Sequence, residues 1–141
     1  VTLRQAHHEL SVATRSRGLF DVTAALRGFL QAEHARDGLL TVFIRHTSAS
    51  LVVQENASSD VRVDLERFFA ELVPDGDPRF THTDEGPDDM PSHVRAALTQ
   101  TQLSIPVCGG VMQLGTWQAV YVFEHRTSPH RRSLALHYLG D

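Results

Sequence analysis

Between Leu39 and Arg45 the chain is almost continuously apolar, and Leu40, Val42, Ile44 and His46 recur two residues apart. That period predicts a buried strand with an imidazole at its end. Leu51–Gln54 predicts another short strand, and Thr2–Ser11 alternates loosely enough to predict one more. Helical spacing appears where Val22, Ala25, Leu26, Phe29 and Leu30 follow Asp21, a suitable N-cap, and it predicts a helix to Ala35. Val61, Leu65, Phe68, Phe69 and Leu72 make the apolar face of a second helix. Ser58 or Ser59 is its expected cap, with Asp60 at its positive end. Pro74-Asp75-Gly76 ends it, and Pro91 opens a third helix whose expected buried side is Val94, Ala97 and Leu98.

The C-terminal third is strand-like throughout. Leu103–Val107 and Val111–Leu114 flank a Cys108-Gly109-Gly110 turn. Trp117–His125 alternates, with Trp117, Ala119, Tyr121 and Phe123 on one expected core face, and Ser133–Leu139 closes the chain. Gly115 interrupts this region and suggests a bulge or a close backbone approach. Together these elements predict an α+β fold: a largely antiparallel, sandwich-like core with about three helices. The length of 141 residues suits a single domain spanning 1–141.

Composition narrows the function more by exclusion than by assertion. Apolar runs are strand-sized and mean hydropathy is −0.21, so no membrane partner is expected. No basic-then-apolar N-terminal stretch predicts a signal peptide. A single cysteine, Cys108, cannot form an internal disulfide, which points to a reducing, cytoplasmic setting. A net charge of −4 argues against a nucleic-acid partner. All 13 basic residues are arginine, which excludes Schiff-base chemistry and a lysine-based phosphate loop.

Nine histidines remain to be sorted by position. His46 ends the central strand beside Thr47, Ser48 and Ser50. His82 and His93 bracket the end of a long polar loop, Asp75 to Met90. Three imidazoles suit a zinc-type ion with a fourth position for water, although each ring can equally be bonded to main chain. Asp84, Glu85, Asp88 and Asp89 offer oxygen ligands of the kind magnesium takes, yet Asp88 and Asp89 also suit helix capping, and capping is preferred for Asp89. Asn56 and Asp60 flank the second helix and either cap it or bind a polar ligand. His125 ends a core strand, and Arg126, Arg131 and Arg132 can grip a phosphate or form an ordinary basic rim. Gln118 faces away from Trp117 and can serve a site or an interface. Cys108 has no histidine near it in sequence and reads as structural or incidental rather than nucleophilic.

Several of these segments together resemble the YjbQ-like family. They are His46-Thr47-Ser48-Ala49-Ser50, Gln54-Glu55-Asn56-Ala57 with Asp60, and the run from His82 to His93. Ile105-Pro106-Val107, Leu114-Gly115-Thr116-Trp117-Gln118 and Glu124-His125-Arg126 complete the set, which covers the chain from Leu39 onward in the family's order. Gly109-Gly110 followed by Val111, and Thr101, depart from the family pattern and are expected to touch the turn and strand entry rather than the histidines. The resemblance implies a homotrimer with a small-molecule pocket at or near a subunit interface. It implies His46, His82 and His93 as metal ligands or general acid–base groups, with Arg126 among the catalytic residues. It implies substrate contacts from Ser48, Asn56, Asp60, Asp84, Glu85, Asp88, Gln118 and His125. The activity linked to the family is that of a thiamine-phosphate synthase, which joins a pyrimidine diphosphate to a thiazole phosphate and expels pyrophosphate. A divalent metal is the implied cofactor: zinc at the histidines, or magnesium with a pyrophosphate substrate. A metal- or metabolite-binding trimer without catalysis is the alternative.

Overall fold

The computed structural model describes residues 2–141 and runs β1 (Arg4–Thr14), β2 (Gly18–Asp21), α1 (Thr23–Ala32), β3 (Gly38–Ile44), β4 (Ala49–Glu55), α2 (Ser59–Leu72), α3 (Asp89–Leu98), β5 (Gln102–Cys108), β6 (Val111–Met112), β7 (Gln118–Glu124), β8 (His130–Gly140). Two antiparallel sheets result, one of five strands in the order β1-β8-β3-β5-β6 and one of three in the order β2-β7-β4. Period-two alternation decides which side chains meet between them. Leu40, Val42 and Ile44 of β3 and Leu134, Leu136 and Tyr138 of β8 share one core with Val120 and Val122 of β7 and Ala49 and Leu51 of β4. Helix α1 adds Leu26, Phe29 and Leu30 to that core. No helix among the described residues is long and apolar enough to cross a membrane.

Several local expectations need correction. The first strand extends past Ser11 to Thr14, and the short strand β2 had no clear signal because only four residues form it. Helix α1 ends at Ala32 and its N-cap position is Val22, with Asp21 accepting the Thr23 N–H instead. The strand expected to reach Leu114 is only Val111–Met112. Gly115 lies in the loop ahead of β7, where its N–H donates to Gln118 Oε1. Trp117 precedes β7 and is 62% exposed rather than core. Ser58 does cap α2, its side chain accepting the Asp60 N–H.

Helix α3 turns the face opposite to the expected one inward. Ala97 and Leu98 are exposed, whereas Asp89, Ser92 and Arg95 are buried with Pro91 and Ala96. Arg95 sets this orientation. Its guanidinium donates to the carbonyls of Val73 (2.6 Å) and His125 (3.3 Å) and to Asp75 (3.1 Å). Those contacts give the buried guanidinium both main-chain and carboxylate acceptors.

Gly38 and Gly140 face each other across β3 and β8 because neither position has room for a side chain. A Cβ at Gly140 would lie 2.3 Å from the Asp37 carbonyl and 2.5 Å from Tyr138 Oη. Gly140→Ala is therefore expected to lose about 1–3 kcal/mol of stability by urea unfolding, with an unchanged m-value.

Candidate functional site

The loop between α2 and α3 folds back over the start of α3, held by the Gly76 N–H on the Pro87 carbonyl at 3.0 Å. Gly76 has a φ of 70° and Gly86 a φ of 108°, a region that glycine enters without strain. This course brings His82 to the first turn of α3. His82 Nε2 lies 2.7 Å from Asp89 Oδ2, and His93 Nε2 lies 3.2 Å from the same oxygen. The ligand-type atoms of His82, Asp89 and His93 all fall within 4.8 Å of one another, the one such group of three among the described residues.

Asp89 is buried on the protein side of this cluster, and Arg126 Nη1 donates to its other oxygen at 2.8 Å. Arg126 also donates from Nε to Asp88 Oδ2 (3.0 Å) and from Nη2 to the Glu85 carbonyl (3.0 Å). Thr127 reaches Asp88 with its N–H (2.9 Å) and its hydroxyl (3.1 Å). Burial would raise the Asp88 pKa, but the Thr127 and Arg126 hydrogen bonds outweigh it and hold the carboxyl down to about 2. The carboxylates thus meet their counter-charge inside the fold.

His93 is oriented from behind. Its Nδ1 lies 2.9 Å from the Thr47 carbonyl and so carries the proton in the neutral ring. The Nε2 lone pair then faces a carboxylate oxygen, which requires a proton or a cation between them. A ring N–H tied to main chain with the other nitrogen free is the usual outer support of a metal-ligating histidine.

His46 stands apart from this cluster. Its Nε2 accepts the Ser133 N–H at 2.8 Å, and its Nδ1 is 3.4 Å from Arg132 Nη1. Burial first, and then the Arg132 charge, lowers its pKa and keeps it neutral. His46 is not brought together with His82, Asp89 and His93, and the Ser133 N–H occupies its Nε2. His46 does meet His93 along a small apolar pocket of about 220 Å³ with Thr47, Ala96, Ala97 and Thr101. Thr101, expected to lie clear of the histidines, in fact lines that pocket.

The other candidate residues disperse. His125 is fully buried, its Nε2 2.8 Å from Ser50 Oγ. Ser48 Oγ accepts from Arg132 Nη2 at 2.9 Å. Arg132 itself is buried against Glu124, and Arg126 is fully engaged by Asp88, Asp89 and Glu85, so neither is free to grip a phosphate. Arg131 is exposed and donates to Ser11. Asp88 occupies the N-cap position of α3 without capping it, and Asp89 anchors the two histidines rather than capping. Asp84 and Glu85 are exposed on the loop. Asn56 and Asp60 are exposed at the start of α2, and the Asn56 N–H bonds the Trp117 carbonyl. Gln118 closes the turn onto Gly115.

Asp89 is the residue that sequence reasoning undervalued. Its four-residue spacing to His93 puts both side chains on one helix face, and that was the available signal. The Glu124–Arg132 pair and Arg95 left no comparable trace in the sequence.

A family model described as "UPF0047 protein YjbQ-like" matches residues 8–141. The chain is 46% identical over 140 residues to the UPF0047 protein sll1880 of Synechocystis, covering 99% of this chain and 95% of that protein. It is 42% identical over 133 residues to the UPF0047 protein YjbQ of Escherichia coli O157:H7, covering 94% of this chain and 96% of that protein. Its fold superposes on that of the conserved hypothetical protein TT1486 of Thermus thermophilus with a TM-score of 0.82 and 31% identity, covering 92% of this chain and 97% of that one.

Proposed function

Since the chain belongs to the YjbQ-like UPF0047 family, we propose that it is a small-molecule enzyme whose site is a divalent-metal centre formed by His82, Asp89 and His93. The observation that carries this reading is the approach of two imidazole Nε2 atoms to one buried carboxylate oxygen, at 2.7 and 3.2 Å, with His93 Nδ1 tied to main chain. Two histidines and one carboxylate favour zinc or a similar ion over magnesium and leave coordination positions for water or substrate. Magnesium would enter only with a pyrophosphate-bearing substrate, with Asp84 and Glu85 as exposed oxygen donors.

A bound divalent ion would supply Lewis-acid charge to a departing phosphate or to water. Arg126 fixes Asp89 by taking its second oxygen, and Asp88 and the Glu85 carbonyl fix Arg126 in turn. Arg126 is thus a positioning residue. Thr47 fixes the tautomer of His93 through its carbonyl. A thiamine-phosphate synthase-like transfer is the reaction proposed for this site, in a homotrimer located in the cytoplasm. The exposed apolar side chains of α2, Val63, Phe68 and Leu72, are consistent with burial between subunits.

The test is metal binding followed by turnover. Wild-type protein is expected to bind one zinc ion per chain, measured by elemental analysis after dialysis. His82→Ala, His93→Ala and Asp89→Ala are each expected to weaken zinc by about 100-fold or more in chelator competition, comparable to losing a ligand or its support. His46→Ala is expected to keep full zinc stoichiometry. Turnover of a pyrimidine diphosphate with a thiazole phosphate should fall with the same three variants. Stoichiometric zinc without turnover on this pair or any other phosphorylated compound would favour the non-catalytic binder. No zinc in the wild-type protein would refute the centre.

A further inference from the structure

One member of the candidate metal cluster, His82, also borders a separate groove. His82 lines a pocket of about 410 Å³ whose other walls include Pro78, Phe80, Pro87, Met90 and Pro91. That volume lies in the range of small-molecule sites. The walls are preorganised, because prolines fix the backbone on both sides and the Gly76–Pro87 hydrogen bond ties the two sides together. Asp77 also borders the groove, but Arg79 takes both of its oxygens, from Nε at 3.0 and 3.1 Å and from Nη2 at 2.6 Å. Among the lining residues, Asp77 carries the one carboxylate and Arg79 pairs it, no lysine or arginine is present, and His82 is already bonded to Asp89.

We infer that this groove seats an uncharged planar ring of the substrate, while a polar or anionic group on the same molecule reaches the His82–Asp89–His93 centre. Proline and phenylalanine surfaces, with a methionine in the same lining, suit the face of an aromatic ring better than a flexible or charged chain. An ionised moiety in the groove would lose its water and find no counter-charge. The inference rests on the metal reading for the polar end and on the groove alone for the ring. Phe80 and Met90 become the specificity-determining side chains, since the prolines also hold the loop.

The test uses two chelators that share a metal-binding group and differ in the ring: benzohydroxamate and acetohydroxamate, titrated calorimetrically into the zinc-loaded full chain. Benzohydroxamate is expected to bind at least tenfold tighter. Phe80→Ala and Met90→Ala should each remove most of that preference while leaving acetohydroxamate affinity and zinc content unchanged. Equal affinities in the wild-type protein, or a ring preference that survives both variants, would overturn the inference. Benzamide, which lacks the chelating group, is titrated in parallel into metal-free protein while the Met90 methyl resonance is followed. If zinc fails to bind but benzamide still shifts that methyl in wild-type protein and not in Phe80→Ala, the metal centre falls and the ring site stands. If zinc binds and neither ring compound is preferred or detected, the centre stands and the ring site falls.

Discussion

Arg132→Met is expected to remove about 3–5 kcal/mol of folding stability, because it leaves Glu124 charged, buried and without its partner. Arg132 donates to Glu124 from Nε at 2.7 Å and from Nη2 at 2.5 Å, between side chains that are 4% and 0% exposed. Thr14 Oγ1 adds a third donor at 2.5 Å, so residues from β1, β7 and β8 converge on one carboxylate between the sheets. Burial alone would raise the Glu124 pKa, but the Arg132 and Thr14 hydrogen bonds together lower it. The double variant Arg132→Met with Glu124→Gln should recover much of the loss, since no uncompensated charge then remains. Urea unfolding of the wild-type protein, both single variants and the double variant would measure the coupling. A loss below 1 kcal/mol for Arg132→Met would show that the pair carries little of the stability.

Acidification provides the second large effect. His125 is buried, and its pKa is lowered to about 3, first by burial, then by the Arg95 charge, with Glu124 acting in the opposite direction. A histidine with a depressed folded pKa stays neutral while the unfolded chain takes up a proton. Its contribution is therefore complete above 6.5 and declines as pH falls from 6.5 toward 3. The slope is about 1.4 kcal/mol per pH unit, or about 2 kcal/mol between pH 6.5 and 5. His46, lowered by burial and Arg132, adds to the loss in the same direction. His125→Gln is expected to flatten the stability profile over this interval by about one proton's worth. An unchanged slope would show that the ring is protonated or exposed in the folded protein.

The sequence revealed the strands best where one face alone is buried. Leu40, Val42 and Ile44 alternate cleanly because β3 has one face in the core and the other toward solvent. Strand β7 misled because Ala119 through Glu124 are buried on both faces, which left no alternation to anchor and allowed Trp117 to be placed in the core. Helix α3 misled for another reason: Arg95, Asp89 and Ser92 carry complementary charge and hydrogen bonds, so a polar face is the buried one. Hydrophobic periodicity cannot register that exchange. At the site, His82 and His93 were legible as histidines bracketing a loop, whereas the Ser133 N–H that occupies His46 Nε2 comes from β8, a strand far away in sequence. Family resemblance supplied the trio, and only the backbone could separate its members.

The position of β8 between β1 and β3 in the larger sheet has a consequence for how the molecule comes into being. Arg4 lies opposite Gly140 and Thr14 opposite His130, so β1 has no sheet partner until synthesis has reached β8, which begins at His130. On a ribosome the first strand must wait, unpaired, while everything between is made, and such distant closures are slow. Premature termination anywhere before His130 would do more than shorten the product. It would strip the shared neighbour from two strands at once and present two raw edges, β1 and β3, to other nascent chains.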